Sequence, residues 1–151
     1  MDGLNCVLAN ENDVVFISET YDENIAALHG VSRSIETWKD MLLNGESIYY
    51  IVRAKTNVAW FRIDVSIDEL WLGMLQVRPI YQRQGVGKYI LSVFENVAKE
   101  KSFKKVGIHT TEDNLAARAL YQSAGYVLTE IGPCTTGDGK ERIGCTFEKE
   151  V

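Results

Sequence analysis

The run Leu70-Trp71-Leu72-Gly73-Met74-Leu75-Gln76-Val77-Arg78-Pro79-Ile80-Tyr81-Gln82-Arg83-Gln84-Gly85-Val86-Gly87-Lys88 holds two kinds of structure and the turn between them. Its first eight residues, dense in large apolar and aromatic side chains, read as a strand. Pro79 cannot donate a ladder hydrogen bond and fits the strand's end. From Gly85 to Ser102 the period becomes helical: Ile90, Leu91, Phe94, Val97 and Ala98 form one stripe, with Lys88, Glu95, Lys99 and Glu100 mostly outside it. A glycine-rich turn between strand and helix leaves backbone N–H groups free at the positive end of the helix, a place suited to phosphate. It is equally what a tight turn that merely starts a helix looks like. A Walker loop needs Gly at Gln82 and Ser or Thr after Lys88, where Tyr89 stands, and the dinucleotide fingerprint needs Gly or Ala at Ile90.

Upstream, Thr20 and Glu23 have the spacing of a capping box, with Ile25 and Leu28 facing inward and Gly30 closing a short helix. A second helix is expected from Ser34, through Ile35, Trp38, Met41 and Leu42, to Asn44-Gly45. Ile48–Val52 and Val58–Ile63 read as strands, and a short first strand is expected near Asn5–Leu8 or Val14–Ile17. Downstream come a strand at Val106–Thr110, a helix at Asn114–Ala124 and strands at Tyr126–Ile131 and Arg142–Phe147 around a Gly-rich loop. This order predicts an α/β (α+β layered) fold: a mixed central sheet of about six to seven strands flanked by about four helices, as one domain over residues 1–151.

The formal net charge is −5, which argues against a general nucleic-acid binder. Asp2, Glu11, Asp13, Glu19, Asp22 and Glu23 all precede Arg33, the first basic residue, whereas Arg78, Arg83, Lys88, Lys99, Lys101, Lys104 and Lys105 crowd the middle. Such runs are solvated faces or, for the basic one, a polyanion site. No signal peptide or membrane-spanning stretch is visible, and Cys6, Cys134 and Cys145 do not resemble a disulfide framework, so the expected setting is cytoplasmic and reducing. No Cys, His and carboxylate cluster has metal-ligand spacing, so no metal is expected.

Leu75-x-Val77-x-Pro79-x-Tyr81-Gln82-x-x-Gly85-x-Gly87 resembles the acetyl-CoA-binding signature of the GNAT superfamily of N-acetyltransferases, and Asn114-x-x-Ala117-x-x-Leu120-Tyr121-x-x-x-Gly125-Tyr126 resembles its later motif. The resemblance covers roughly residues 48 to 131. It implies that backbone amides from Arg83 through Gln84, Gly85, Val86 and Gly87 to Lys88 hold the CoA pyrophosphate, while backbone near Leu75 and Val77 pairs with the pantetheine arm where two strands splay. Arg78, Arg83 and Lys88 add charge nearby. Asn114 caps the last helix and approaches CoA, Ala117 and Gly125 allow close packing, and Tyr121 matches the tyrosine that points at the CoA sulfur.

An amine attacking a thioester needs an N–H donor for the developing oxyanion and a proton source for the departing thiolate. Strand backbone at Leu75–Val77 fits the first role and Tyr121 the second. Many relatives carry Glu where this chain has Trp71; Glu69, two residues earlier, shares that face of a regular strand and is the candidate base, beside His109 and ordered water. The resemblance thus implies acetyl transfer from acetyl-CoA to a small-molecule or peptide amine, by a monomer or homodimer. A CoA-binding sensor without turnover and an enzyme using a longer acyl donor are the alternatives. The region His29–Ser34 and the loop Gly132–Glu141 are expected to border the acceptor, and the six N-terminal acids favour a cationic amine.

Overall fold

In a computed structural model covering residues 1–151, a seven-stranded sheet runs in the order β1-β2-β3-β4-β5-β7-β6. The strands are β1 Asn5–Leu8, β2 Ser47–Arg53, β3 Asn57–Val65, β4 Leu70–Val77, β5 Lys105–Thr111, β6 Val127–Thr135 and β7 Glu141–Glu150. The helices are α1 Val14–Glu23, α2 Ile25–Leu28, α3 Ile35–Leu43, α4 Val86–Glu100 and α5 Leu115–Ser123. Every neighbouring pair is antiparallel except β4 and β5, which run parallel. No helix is long and apolar enough to cross a membrane.

The first strand lies at Asn5–Leu8; Val14–Ile17 begins α1 instead. The Thr20–Glu23 capping box does not form, because Thr20 lies inside α1 and is buried. The box that does form is Asn10 with Asp13: the Asn10 side chain accepts from Asn12 N–H at 2.8 Å, and Asn10 N–H donates to Asp13 Oδ2 at 2.9 Å. Two helices therefore stand where one was expected. His29, with φ of 52°, makes the left-handed turn that ends α2. Gly30 has another duty: a Cβ there would overlap the Tyr21 hydroxyl. Ser34 caps α3 by accepting from Thr37 N–H at 3.1 Å, worth about 1 kcal/mol in such caps.

The sheet alternation separates two apolar layers. Val52, Phe61, Ile63, Val106, Ile108 and Phe147 face α4 and α5, meeting Ile90, Leu91, Phe94 and Tyr121. Tyr49, Ile51 and Trp60 face the other way, under Ile17 and Tyr21 of α1 and Trp38 of α3. There, Trp38 makes edge contacts with Tyr21 and Trp60 at centroid distances of 5.1 and 5.6 Å. Trp60 is fully buried at the centre of this aromatic group, so truncation to Ala costs about 3–5 kcal/mol.

One irregularity positions the site. Ile63 pairs with Leu72 and Arg62 with Met74, leaving Gly73 as an extra residue in β4. Such a bulge bends a strand and shifts its phase. Leu70 and Leu72 face the α4 layer before it, Leu75 and Val77 after it, and Met74 packs into the opposite layer. Parallel pairing with β5 spans Leu70–Leu72 against Val106–Ile108 and stops there.

Candidate active site

Past the bulge, β4 and β5 part, and the gap opens into a cleft of about 1140 Å³. Arg78 N–H donates to Val58 O at 3.1 Å, so by antiparallel alternation Gln76 also turns its backbone toward β3 while Leu75 and Val77 turn theirs into the cleft. Two side chains already cover the Val77 carbonyl: Asn24 Nδ2 and Gln82 Nε2 each donate to it at 3.0 Å. The Val77 N–H and both polar backbone groups of Leu75 have no strand beside them. They form a short exposed sheet edge inside a groove.

The strand-to-helix turn closes one end of this cleft. Gly85 caps α4 at φ of 86°, and Arg83 is also left-handed, at 61°. The backbone N–H groups of Arg83, Gln84, Gly85, Val86, Gly87 and Lys88 find no acceptor in the chain; the ladder of α4 begins with Tyr89 N–H donating to Gly85 O at 3.1 Å. This run of unspent donors at a helix N-terminus is an anion cradle. Val86, fully buried, anchors it. The two glycines differ in duty. A Cβ at Gly85 would meet almost nothing, so that residue is there for its positive φ, whereas one at Gly87 would press on Leu120 Cδ2 at 2.8 Å, so that residue lets α5 approach α4.

From α5, Asn114 Oδ1 accepts from Ala117 N–H at 3.2 Å, capping the helix as its position predicts, and both residues line the cleft with Tyr121. Tyr121 packs edge-on to Phe147 at 5.7 Å. Burial pushes its hydroxyl up to about 12. The group therefore holds its proton and donates a hydrogen bond more readily than it ionises.

Glu69 is not brought to the cleft. It stands before β4, at the end where β4 and β5 are still paired, within an ion-pair group in which Lys105 Nζ lies 3.3 Å from Glu69 and 2.9 Å from Glu148. Burial and the contact with Glu148 hold Glu69 above the usual carboxylate range, while Lys105 holds Glu148 below it. Alternation sets the face of Glu69, but β4 opens into the cleft at its other end. Trp71 lies over Gly107 of β5, where a Cβ would strike its ring, so this position serves packing. His109 does line the cleft, its ring over Gly144 and its Nδ1 3.3 Å from Thr146 Oγ1.

The side expected to take the acceptor is lined by Tyr21, Asn24, Leu28, Gly30 and Arg33, with Gly137 packed beside Gly30. The expected loop shrinks to residues 136–140, because β6 and β7 extend into it. It is tied down by Asp138 N–H donating to His29 O at 3.0 Å, and His29 Nε2 reaches Asp113 Oδ2 at 2.7 Å. Thr111 and His29 together hold the Asp113 carboxyl below its ordinary value. No carboxylate lines the cleft, and none of the six N-terminal acids reaches it.

The family model described as Acetyltransferase (GNAT) family matches residues 14–126, and the chain belongs to that family. The [ribosomal protein bS18]-alanine N-acetyltransferase of Escherichia coli strain K12 is 33% identical over 79 residues, which take in 51% of this chain and 53% of that protein. The chain matches less than two thirds of the length of its curated relatives. The crystal structure of the ribosomal-protein-S18-alanine N-acetyltransferase from Escherichia coli superposes with a TM-score of 0.79 at 20% identity, covering 98% of this chain and 94% of that one. A protein from Salmonella typhimurium solved with its cofactor acetyl-CoA gives 0.78 at 15% identity, covering 99% and 94%. These two likenesses show the fold.

Proposed function

We propose that the chain transfers an acetyl group from acetyl-CoA to a primary amine by direct attack on the thioester. The observation that carries this reading is the meeting, in one cleft, of the open Leu75–Val77 edge with the unspent N–H groups of Arg83 to Lys88. The first matches an extended amide-bearing arm, the second a pyrophosphate. Acetyl-CoA supplies the acyl group as an activated thioester. The turn from Arg83 through Gln84, Gly85, Val86 and Gly87 to Lys88 binds the phosphates, the Leu75 and Val77 backbone orients the arm, and Asn114 and Ala117 form the facing wall. Tyr121 holds a proton at its hydroxyl beside the departing sulfur. His109 carries the only imidazole in the cleft wall and is the side chain suited to take the amine's proton.

The alanine acted on by the Escherichia coli relative, by its name, supports a peptide or small-molecule amine as acceptor. The three free cysteines suit a cytoplasmic, reducing setting. A sensor that binds acyl-CoA without turnover is the second reading, and the lack of any carboxylate in the cleft favours it. An acetyl-CoA thiol-release screen over polyamines, amino acids, aminoglycosides and peptide N-termini separates the two. Amine-dependent release establishes the transferase, whereas tight acetyl-CoA binding with no release from any acceptor leaves the sensor. Donors of increasing chain length in the same assay define the acyl preference.

A further inference from the structure

Around the acceptor side of the cleft, three pairs of charged groups meet. Arg78 Nε donates to Glu23 Oε1 at 3.1 Å, His29 contacts Asp113, and Arg142 Nη2 donates to Asp138 Oδ2 at 2.9 Å. Arg33 has no carboxylate partner. Its guanidinium carbon lies 5.1 Å from the ring centroid of Tyr21 and 5.1 Å from that of Trp38, held in the angle between two aromatic rings that are themselves in edge contact. Its Nη1 is shielded from solvent and has no hydrogen-bond acceptor. Arg33 also lines the cleft.

A guanidinium that merely covered an aromatic layer would keep its N–H groups in water. One that is fixed by two rings, has no acceptor at Nη1 and stands in a ligand wall containing no carboxylate is arranged to receive one. The planar fork matches a carboxylate through two parallel hydrogen bonds, which an ammonium cannot do. The geometry points to Arg33 as the specificity-determining residue for an acceptor that carries a carboxylate close to its reacting amine. This inference rests on the acetyltransferase reading and reverses the cationic preference that the acidic N-terminal segment suggests. The same chemistry is offered by a free amino acid and by a peptide whose second residue is acidic.

The test compares free amino acids with their amides, and peptide amides bearing Glu at the second position with their Gln counterparts. It reads kcat/KM by thiol release and, separately, binding to the CoA-loaded protein by ligand-observed NMR. The wild type should favour the carboxylate member of one pair at least tenfold, and which pair shows it identifies the source. Arg33→Met, which keeps the stacked bulk without the charge, should raise KM for that member tenfold or more. It should leave kcat, the amide member and acetyl-CoA affinity within about twofold. Arg33→Lys should restore only part of the preference. A wild type that does not distinguish either pair overturns the proposal without reference to any variant, as does an Arg33→Met protein that loses both members equally. Carboxylate-selective binding that vanishes in Arg33→Met, with no thiol release anywhere, would sink the transferase reading and leave the Arg33 assignment standing.

Discussion

The two ends of the cleft are built from different materials. The cofactor end is mostly backbone: N–H groups from Arg83 to Lys88, the Leu75 and Val77 edge, and glycines that permit a positive φ or a close helix approach. The acceptor end is side chains and loops drawn from segments far apart in sequence, with Gly137 packed against Gly30 and His29 reaching Asp113. Backbone recognition asks for a conformation, which a handful of residues written consecutively can specify. Side-chain recognition asks for a juxtaposition, which only the completed fold supplies. One end is thus suited to a fixed cosubstrate and the other to a changeable one.

The division is tested most severely at the residue standing between the two ends. Tyr121→Phe should lower kcat by about tenfold to a hundredfold or more, with acetyl-CoA affinity nearly unchanged, because the ring keeps its packing and only the proton is lost. Since burial raises this hydroxyl to about 12, loss of the donor should begin about two pH units above the ordinary tyrosine value near 10. The rate should accordingly show no decline from this group until the pH approaches 12. Wild-type turnover in the Phe variant, measured by stopped-time thiol release, would remove Tyr121 from the chemistry.

Gly87→Val probes the backbone-built end and should weaken acetyl-CoA binding about tenfold in calorimetry. The structure supplies a mechanical reason, since the new side chain would push Leu120 and displace α5 from α4. A stability loss of about 1–3 kcal/mol should accompany it, as for other overpacked contacts. Unchanged affinity would show that the loop tolerates a moved α5. The smallest effect is expected at the acids: replacing Asp22 and Glu23 with Asn and Gln should change kcat/KM less than about twofold for cationic and neutral acceptors alike. Neither acid lines the cleft, and Glu23 is already paired with Arg78. A selective, salt-sensitive loss for the cationic acceptor would restore long-range steering and blur the contrast between the two ends.

Much of the fold is legible in the sequence because period and turn chemistry are local properties. The β4–turn–α4 run carries both, and the α5 cap at Asn114 is one residue's choice. The Thr20–Glu23 box misleads because its spacing is local while burial of Thr20 is not: α1 starts earlier, at Val14, straight after the short turn Glu11–Asp13 that Asn10 caps. Glu69 misleads in another way. Its face can be read from alternation, but which end of β4 is open depends on a bulge and on where β5 stops pairing. Gly107 and Gly144 lie within strands, where a glycine marks close approach, and only the assembled sheet shows that Trp71 and His109 are the rings they accommodate. Arg33 has no motif at all. Its importance comes from the absence of a partner, and absence is a property of three dimensions.

The short parallel contact between β4 and β5 has a mechanical consequence. On one side of it lie β1 to β4 and on the other β5 to β7, each a continuous antiparallel block, and the pairing of Leu70–Leu72 with Val106–Ile108 is the one strand ladder that joins them. The sheet is two plates fastened along a narrow hinge. Amide hydrogens within each plate should exchange slowly and together, those along the hinge sooner, and a molecule bridging the plates from the open end would slow the hinge most. Filling the groove would then rigidify the protein as a new strand does, so that order in the acceptor half follows from occupancy of the other.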